Sequence, residues 1–566
     1  MKNLKDLRYL VSSTLKLAVL ATLISGYMVA GLFSSSIPAA HAATNSGSPL
    51  STVGHLKFKA TVDMSKISTA HAAPVHPNPV VRKVAVNRPA PDGAGTAAAV
   101  RNGAIPKVAG SPLTSAHAVK TNFNGLSSVD SFNANGFDVE PPDQGMCVNK
   151  SNVLELVNLV GADYNRNGTL KDGPVSLNSL FDEAPAEFLS DPRCYFDAST
   201  HAWFASVLAI DPSNTASHLD VAVAPSDFPT IFTVYQFDTT DANDPGCPCF
   251  GDQPLLGLDK QNIYVSTNEF SILGPNFNGA QIYAISKSQL VALATTVNFV
   301  HFGNLGIGGV VAGSVQPAIT NDNTKAEFFL QSLTRHSAFD TRLGVWAMTA
   351  TDRVSSGGTP NLTNVVITSE PYGAPPAATS PGGVFLDTGD NRMQQVQMIN
   401  GKLWGALDTI VNVPGDATPS TGAAWFSITP ALDSQQQVIK SATIVDQGYV
   451  TAQGEFLLYP AIQQSPDGTV EMVMSMTGPN TFPSAVYVTR SGAKHAQFGA
   501  ITMIQPGVTA DTGFTCAGGA CRWGDYSAAA FDSSNNGHSI WVATEYIPGT
   551  GDQFTDWGTR IAEIGA

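Results

Sequence analysis

From about residue 121 to the C-terminus, apolar and polar positions follow one plan seven times over. Each unit opens on polar residues, often beside Pro, and reaches a turn rich in Asn, Asp or Gly. A strand of apolar and aromatic residues follows and ends on polar side chains. Pro142-Asp143-Gln144 leads through Asn149-Lys150-Ser151-Asn152 to a strand over 153–158, and Asp191-Pro192-Arg193 leads to 203–207. Asp252-Gln253-Pro254 leads to 263–267, Gln316-Pro317 to 328–331, and the run 392–395 through Asn400-Gly401 to 403–407. Tyr459-Pro460 leads through Asp467-Gly468 to 470–474, and Arg522-Trp523-Gly524-Asp525 through 532–537 to 540–543. Asn-Gly and Asp-Gly between short alternating runs are hairpin signals, because these residues tolerate positive φ. Further strand-like runs follow within units, as at 218–223, 231–237 and 485–489.

Four strands per unit, repeated seven times without helical periodicity, predict an all-β fold, a seven-bladed β-propeller in which radial closure removes long sheet edges. A pair of β-sandwiches is the main alternative, and a β-helix has much shorter repeats. The last unit is one strand short. Residues 559–564 are therefore expected to share a blade with a strand from 121–140.

The N-terminus differs. Lys2, Lys5, Arg8 and Lys16 precede an apolar run over 17–33, and Ala40-His41-Ala42 forms an A-x-A cleavage pattern, so 1–42 reads as a signal peptide. The alternative is an uncleaved anchor, since the run approaches spanning length. No later segment does, so after cleavage no membrane span is expected and the protein is secreted, periplasmic or on the cell surface. Residues 43–120 are rich in Ala, Pro, Val and Ser and carry nine Lys and Arg against two Asp and Glu. So little apolar surface predicts a disordered leader, either a solvated linker or a basic tail for anionic polymer.

Residues 121–566 carry 17 basic against 42 acidic residues, which argues against nucleic acid as a partner. Six cysteines in this region suggest disulfides in an exported protein. Cys516 and Cys521 close a small loop and are the expected pair; Cys147, Cys194, Cys247 and Cys249 can pair in three ways. Cys247-Pro-Cys249 lacks zinc-ligand spacing.

The run Pro141-Pro142-Asp143-Gln144-Gly145, with Asp191-Pro192-Arg193, Asp252-Gln253-Pro254-Leu255-Leu256-Gly257-Leu258-Asp259 and Arg522-Trp523-Gly524-Asp525-Tyr526, resembles a family of exported bacterial propeller proteins loosely related to sialidases and other propeller glycosidases. The resemblance spans 121–566 and is more specific for fold than for activity. Sialidases carry Asp boxes of the form S-x-D-x-G-x-x-W, and none is intact here; the stretch 533–541 comes nearest.

Strand polarity brings the unit-opening residues and the ends of the second strands to one mouth of the ring. That mouth is expected to hold Asp143, Gln144, Asn158, Asp191, Arg193, Asp252, Glu269, Gln316, Gln331, Arg392, Asp408, Tyr459, Arg522, Asp525, Tyr526 and Glu545. Asp143, Arg193, Arg392 and Arg522 are the candidate substrate-binding residues, since arginine pairs carboxylates bidentately and suits an acidic sugar. Asp252, Glu269, Asp408, Asp525 and Glu545 are candidates for acid–base cleavage, and Tyr526 beside Glu545 for a tyrosine nucleophile. The competing reading makes the same side chains hydrogen-bond partners of the neighbouring blade's backbone.

Asp163-Tyr164-Asn165-Arg166-Asn167-Gly168 matches the opening of a calcium loop before failing at Lys171 and Pro174. Asp163, Asn165 and Asn167 are thus candidate ligands for a structural calcium, against an ordinary hairpin turn; no cofactor is otherwise expected. G-x-S-x-G, H-E-x-x-H and the phosphate loop G-x-x-x-x-G-K-[ST] are absent. The expected function is that of a monomeric glycan-directed propeller, a glycoside hydrolase or lyase on an acidic polysaccharide. The alternative is a non-catalytic module binding cell-surface glycan or protein.

Overall fold

Each repeat forms a four-stranded antiparallel sheet in the computed structural model, which describes residues 49–68, 105–115, 119–549 apart from 243, 245, 275, 321, 335–338 and 533–538, and 556–565. The signal peptide, most of the leader and the Asp-box-like stretch at 533–538 lie outside the described residues. Sheets 1 to 6 span 145–176, 188–238, 249–303, 316–372, 396–450 and 456–505. Sheet 7 takes three strands from 528–564 and its fourth, β3 (Val119–Ser127), from the N-terminal side. Residues 119–127 thus pair with the C-terminal strand Gly558–Ile564, the expected partnership.

The second strands fall where the apolar alternation predicts, from Asn152–Val157 in sheet 1 to Ile540–Tyr546 in sheet 7. At Asn400-Gly401 both residues have positive φ, 52° and 72°, as a tight hairpin turn requires. First strands touch in cyclic order: Gly145–Val148, Phe188–Asp197, Cys249–Leu258, Gln316–Thr320, Val396–Ile399, Phe456–Gln464, Ala528–Phe531, and back to the first. Apolar clusters fill each junction between successive sheets, including that between sheets 7 and 1, where Trp541 and Ala543 meet Val153 and Val157. Such face-to-face packing is the main source of stability, and it buries Trp203, Trp346, Trp404, Trp425 and Trp541 completely. No helix among the described residues is long and apolar enough to cross a membrane.

The leader requires a correction. Residues 50–63 form a 14-residue strand, β1 (Leu50–Asp63), followed by a 3-10 turn at Met64–Lys66. One half of β1 pairs with the last strand of sheet 3 and the other with the last strand of sheet 2. It thereby covers two edges that would otherwise expose unpaired backbone groups. Leu56 and Met64 are buried, and Lys59 ion-pairs with Glu183 and Asp220. Composition averaged over 43–120 conceals this short alternating segment. A second leader strand, β2 (Leu113–Ser115), lies parallel to Ile501–Gln505 of sheet 6. Replacing Leu56 by Ala is expected to destabilise the protein by about 2–5 kcal/mol, measured by equilibrium denaturation; an unchanged midpoint would mean that β1 is dispensable.

Candidate functional site

Where the first strands of sheets 2, 3 and 6 start, the chain bulges. Register shifts fall at Ser190/Arg193, Asp252/Leu255 and Leu458/Ala461. The residue before the proline there, Asp191, Gln253 or Tyr459, has φ of 56°, 49° or 53°. Asp143 and Ser314 adopt the same left-handed conformation at 47° and 48°. A bulge leaves a backbone N–H without a ladder partner, and a polar side chain supplies one each time. Asn158 accepts from Asp191 N at 2.8 Å, and Asp191 accepts from Gln253 N at 3.1 Å. Asn268 accepts from Ser314 N at 2.7 Å, and both Asp408 oxygens accept from Tyr459 N at 3.0 and 3.1 Å. Glu545 accepts from Gly524 N at 2.7 Å and Asp143 from Asp525 N at 2.6 Å. For Asp143, Asp408 and Glu545 the structure therefore supplies the backbone-bonding role that competed with a chemical one.

The three arginines gather around these bulges, but not as equals. Arg193 stacks on the Tyr526 ring, its guanidinium carbon 3.2 Å from the centroid, and the Tyr526 hydroxyl donates to Pro192 O. Arg392 grips Asp390 through two bonds of 2.8 Å and donates to the Gln253 side chain. Gln395 pairs its amide with the backbone of Ala529. Apart from the local Arg392–Asp390 pair, each of these contacts joins the surroundings of sheets that are not neighbours: 2 with 7, 3 with 5, and 5 with 7. Arg193 and Arg392 are thus ties across the ring.

Arg522 is different. Its side chain is 40% exposed and sits between Asp525 at 3.1 Å and Asp387 at 3.7 Å, themselves 18% and 40% exposed. Asp525 is the main cause of the raised Arg522 pKa, with Asp387 and Asp143 adding to it against burial. Burial opposes the Arg392 charge too, but Asp390, then Asp525 and Asp252, outweigh it and raise that pKa. Asp525 thus acts on both guanidinia, which joins Arg392, Arg522, Asp252, Asp387 and Asp525 in one polar patch.

The remaining candidates lie deeper. Asp252 is buried and sits opposite Asn268 in the ladder. Glu269, Asp408 and Glu545 are buried, and burial is the first cause that pushes each carboxyl well up. Asp143 is raised by burial, then by Asp525 and Asp191. Tyr526 is buried and its phenol raised by burial, and it does not bond Glu545, whose Oε2 is taken by Gly524. That leaves the tyrosine-nucleophile arrangement without its base.

Asp163, Asn165 and Asn167 form a hairpin. Asn165 closes the turn with Gly168 N and Thr169 O, Asn167 Oδ1 accepts from Thr169 N, and Asp163 binds Asn152 and Lys171. Asp163 Oδ2 and Asn167 Oδ1 thus already have protein partners. The cysteines pair as Cys147–Cys194, Cys247–Cys249 and Cys516–Cys521.

Asp387 and Asp390 were not among the candidates from sequence. They belong to Asp387-Thr388-Gly389-Asp390-Asn391-Arg392, which lies just ahead of the unit-opening run 392–395. Two carboxylates within five residues of an arginine were the available signal.

No family model matches the chain, and no curated protein matches it. Among solved structures, Drosophila Plexin A in complex with Semaphorin 1b is similar over 80% of this chain and 88% of that one, at 10% identity and a TM-score of 0.36. A mutant of Trypanosoma rangeli sialidase displaying trans-sialidase activity covers 72% of this chain and 57% of its own, at 10% identity and a TM-score of 0.34. An exo-1,5-α-L-arabinanase from a bovine ruminal metagenomic library covers 63% and 95%, at 8% identity and a TM-score of 0.30. Likenesses at these TM-scores carry no weight for fold or activity, which rest on the geometry above.

Proposed function

We propose that this chain is an exported seven-bladed β-propeller, its seven sheets the blades, that binds carbohydrate where the first strands begin. The observation that carries this reading is the 40%-exposed Arg522 side chain held between Asp387 and Asp525. Alternating fixed donors and acceptors suit sugar hydroxyls, which both donate and accept. Arg392 and Arg522 already have carboxylate partners, so an anionic sugar would have to displace them, whereas a neutral one inserts between donor and acceptor. A neutral glycan therefore replaces the acidic polysaccharide expected from the arginine count alone. Three disulfides accord with an oxidising compartment.

Glycosidic cleavage is the second reading, and one feature favours it. Asp387 and Asp525 sit on the same guanidinium, so their carboxylates fall inside the upper separation of about 9.5 Å at which acid and base flank a glycosidic bond. Incubating the protein with a panel of neutral and acidic polysaccharides, and following both retention and new reducing or unsaturated ends, tests both. Retention of neutral polymers is expected, and new ends that vanish in Asp525→Asn would establish cleavage. Retention of acidic polymers alone would overturn the neutral-glycan assignment.

A further inference from the structure

Away from the Arg522 patch, the loop between sheets 2 and 3 brings Asp241 and Asp244 against His301, on the last strand of sheet 3. One ligand atom from each lies within 4.8 Å of the others. His301 is only 7% exposed. Its Nε2 lies 2.7 Å from Gln281 Oε1, a carbonyl oxygen that can only accept, so Nε2 carries the proton. The lone pair therefore sits on Nδ1, which has no hydrogen-bond partner among the described residues. Tyr283 stacks flat on this ring, centroids 4.6 Å apart, and donates its hydroxyl to Asp241 Oδ2 at 2.9 Å.

An imidazole fixed by an amide and a carboxylate fixed by a phenol are the outer partners that orient metal ligands. Close by, Glu269 is fully buried; its Oε1 accepts from Thr267, while its Oε2 has no hydrogen-bond partner. After burial, Asp241 is the charge that most raises the Glu269 pKa. Among the described residues, no Lys or Arg ion-pairs with Asp241, Asp244 or Glu269. The comparable group Glu183, His218 and Asp220 is answered by the Lys59 ammonium. Two carboxylates and an imidazole without a counter-charge are a cation site in all but the cation.

We propose that Asp241, Asp244 and His301 bind a divalent first-row cation, Zn2+ in preference to Ca2+. The imidazole decides the class, since zinc takes nitrogen and carboxylate ligands whereas calcium takes oxygen. The neighbouring Cys247 and Cys249 are disulfide-bonded and supply no thiolate. Bound there, the ion ties the 241–249 loop to the far strand of sheet 3, and it stabilises the folded state by mass action.

The test is thermal unfolding of the chelator-dialysed full chain, titrated separately with ZnCl2 and CaCl2, with bound metal counted by mass spectrometry. A saturable rise of several degrees with one equivalent of Zn2+ is expected. It should be lost in Asp244→Asn, a half-buried, near-isosteric change, and kept in Asp163→Asn. Circular dichroism of Asp244→Asn confirms its fold, and His301→Gln repeats the test from the imidazole side. A Zn2+ shift that survives both Asp244→Asn and His301→Gln, a shift with Ca2+ alone, or no shift would overturn the proposal.

Discussion

Asp408→Ala is expected to be among the most damaging single substitutions in this protein, although Asp408 touches no solvent. Both of its oxygens accept from the backbone of Tyr459, which the bulge before Pro460 holds at a φ of 53°. Removing them strands a buried N–H at a cost of about 1–3 kcal/mol, and the cavity left behind adds to that. Relief of the repulsion between Asp408 and Asp390 offsets only part of the loss. Asp408→Asn keeps an acceptor and mimics the protonated acid that burial favours, so it should cost much less. Equilibrium denaturation of the two variants separates these outcomes, and equal losses would show that the bond to Tyr459 is unimportant.

Acidification from pH 8 to pH 5 is expected to stabilise the protein, contrary to the usual behaviour of a protein rich in ion-paired carboxylates. Burial, then Asp467, pushes Glu471 up to about 8, and burial, then Asp130, pushes Glu155 up to about 7. Burial, then Glu140 and Asp556, holds Asp511 at about 7. Each retains a proton in the folded state that the unfolded chain has released above its ordinary value of about 4. Their contribution is therefore full below about pH 4 and is lost as pH rises through 7 and 8. A tenfold change in proton affinity is worth about 1.4 kcal/mol, so the combined effect reaches several kcal/mol. Glu183 and Asp211, both lowered to about 2, oppose this only below about pH 4.5, and His301, held down to about 4 by burial, offsets part of it from about pH 6.5 downward. Melting curves across pH 4–9 should thus peak near pH 5. Glu471→Gln, an amide in place of the protonated acid, should flatten the alkaline side; a maximum near pH 8 would contradict these burial effects.

What could be read in advance is what short-range chemistry dictates. The second strands, the Asn400-Gly401 turn and the pairing of 119–127 with the C-terminal strand all follow from alternation, turn residues and a missing strand. Strand polarity also gathered Asp143, Arg193, Arg392, Arg522 and Asp525 in one region. Three things depend on tertiary contacts and were hidden. A bulge at Tyr459 and the loop before sheet 7 give Asp408, Glu545 and Asp143 backbone partners no spacing rule foretells. Ties such as Arg193 on Tyr526 cross the ring between distant repeats. Strand β1 is ordered because two sheet edges and the acidic pair Glu183 and Asp220 await it, whereas its composition alone reads as linker.

The central claim is that the patch around Arg522 meets a ligand while the residues beneath it hold the ring together. Arg522→Ala separates the two, because this side chain is 40% exposed, whereas Arg392 is 17% exposed and Arg193 is stacked on the Tyr526 ring. Retention on the polysaccharide bound best by the native protein should be measured together with the melting temperature of the same preparation. A desolvated charge-assisted contact is worth about 1.5–3 kcal/mol, so affinity should fall roughly tenfold to a hundredfold while the melting temperature stays within a degree or two. Unchanged retention with a lowered melting temperature would make Arg522 one more structural tie, and the patch would no longer be the binding site.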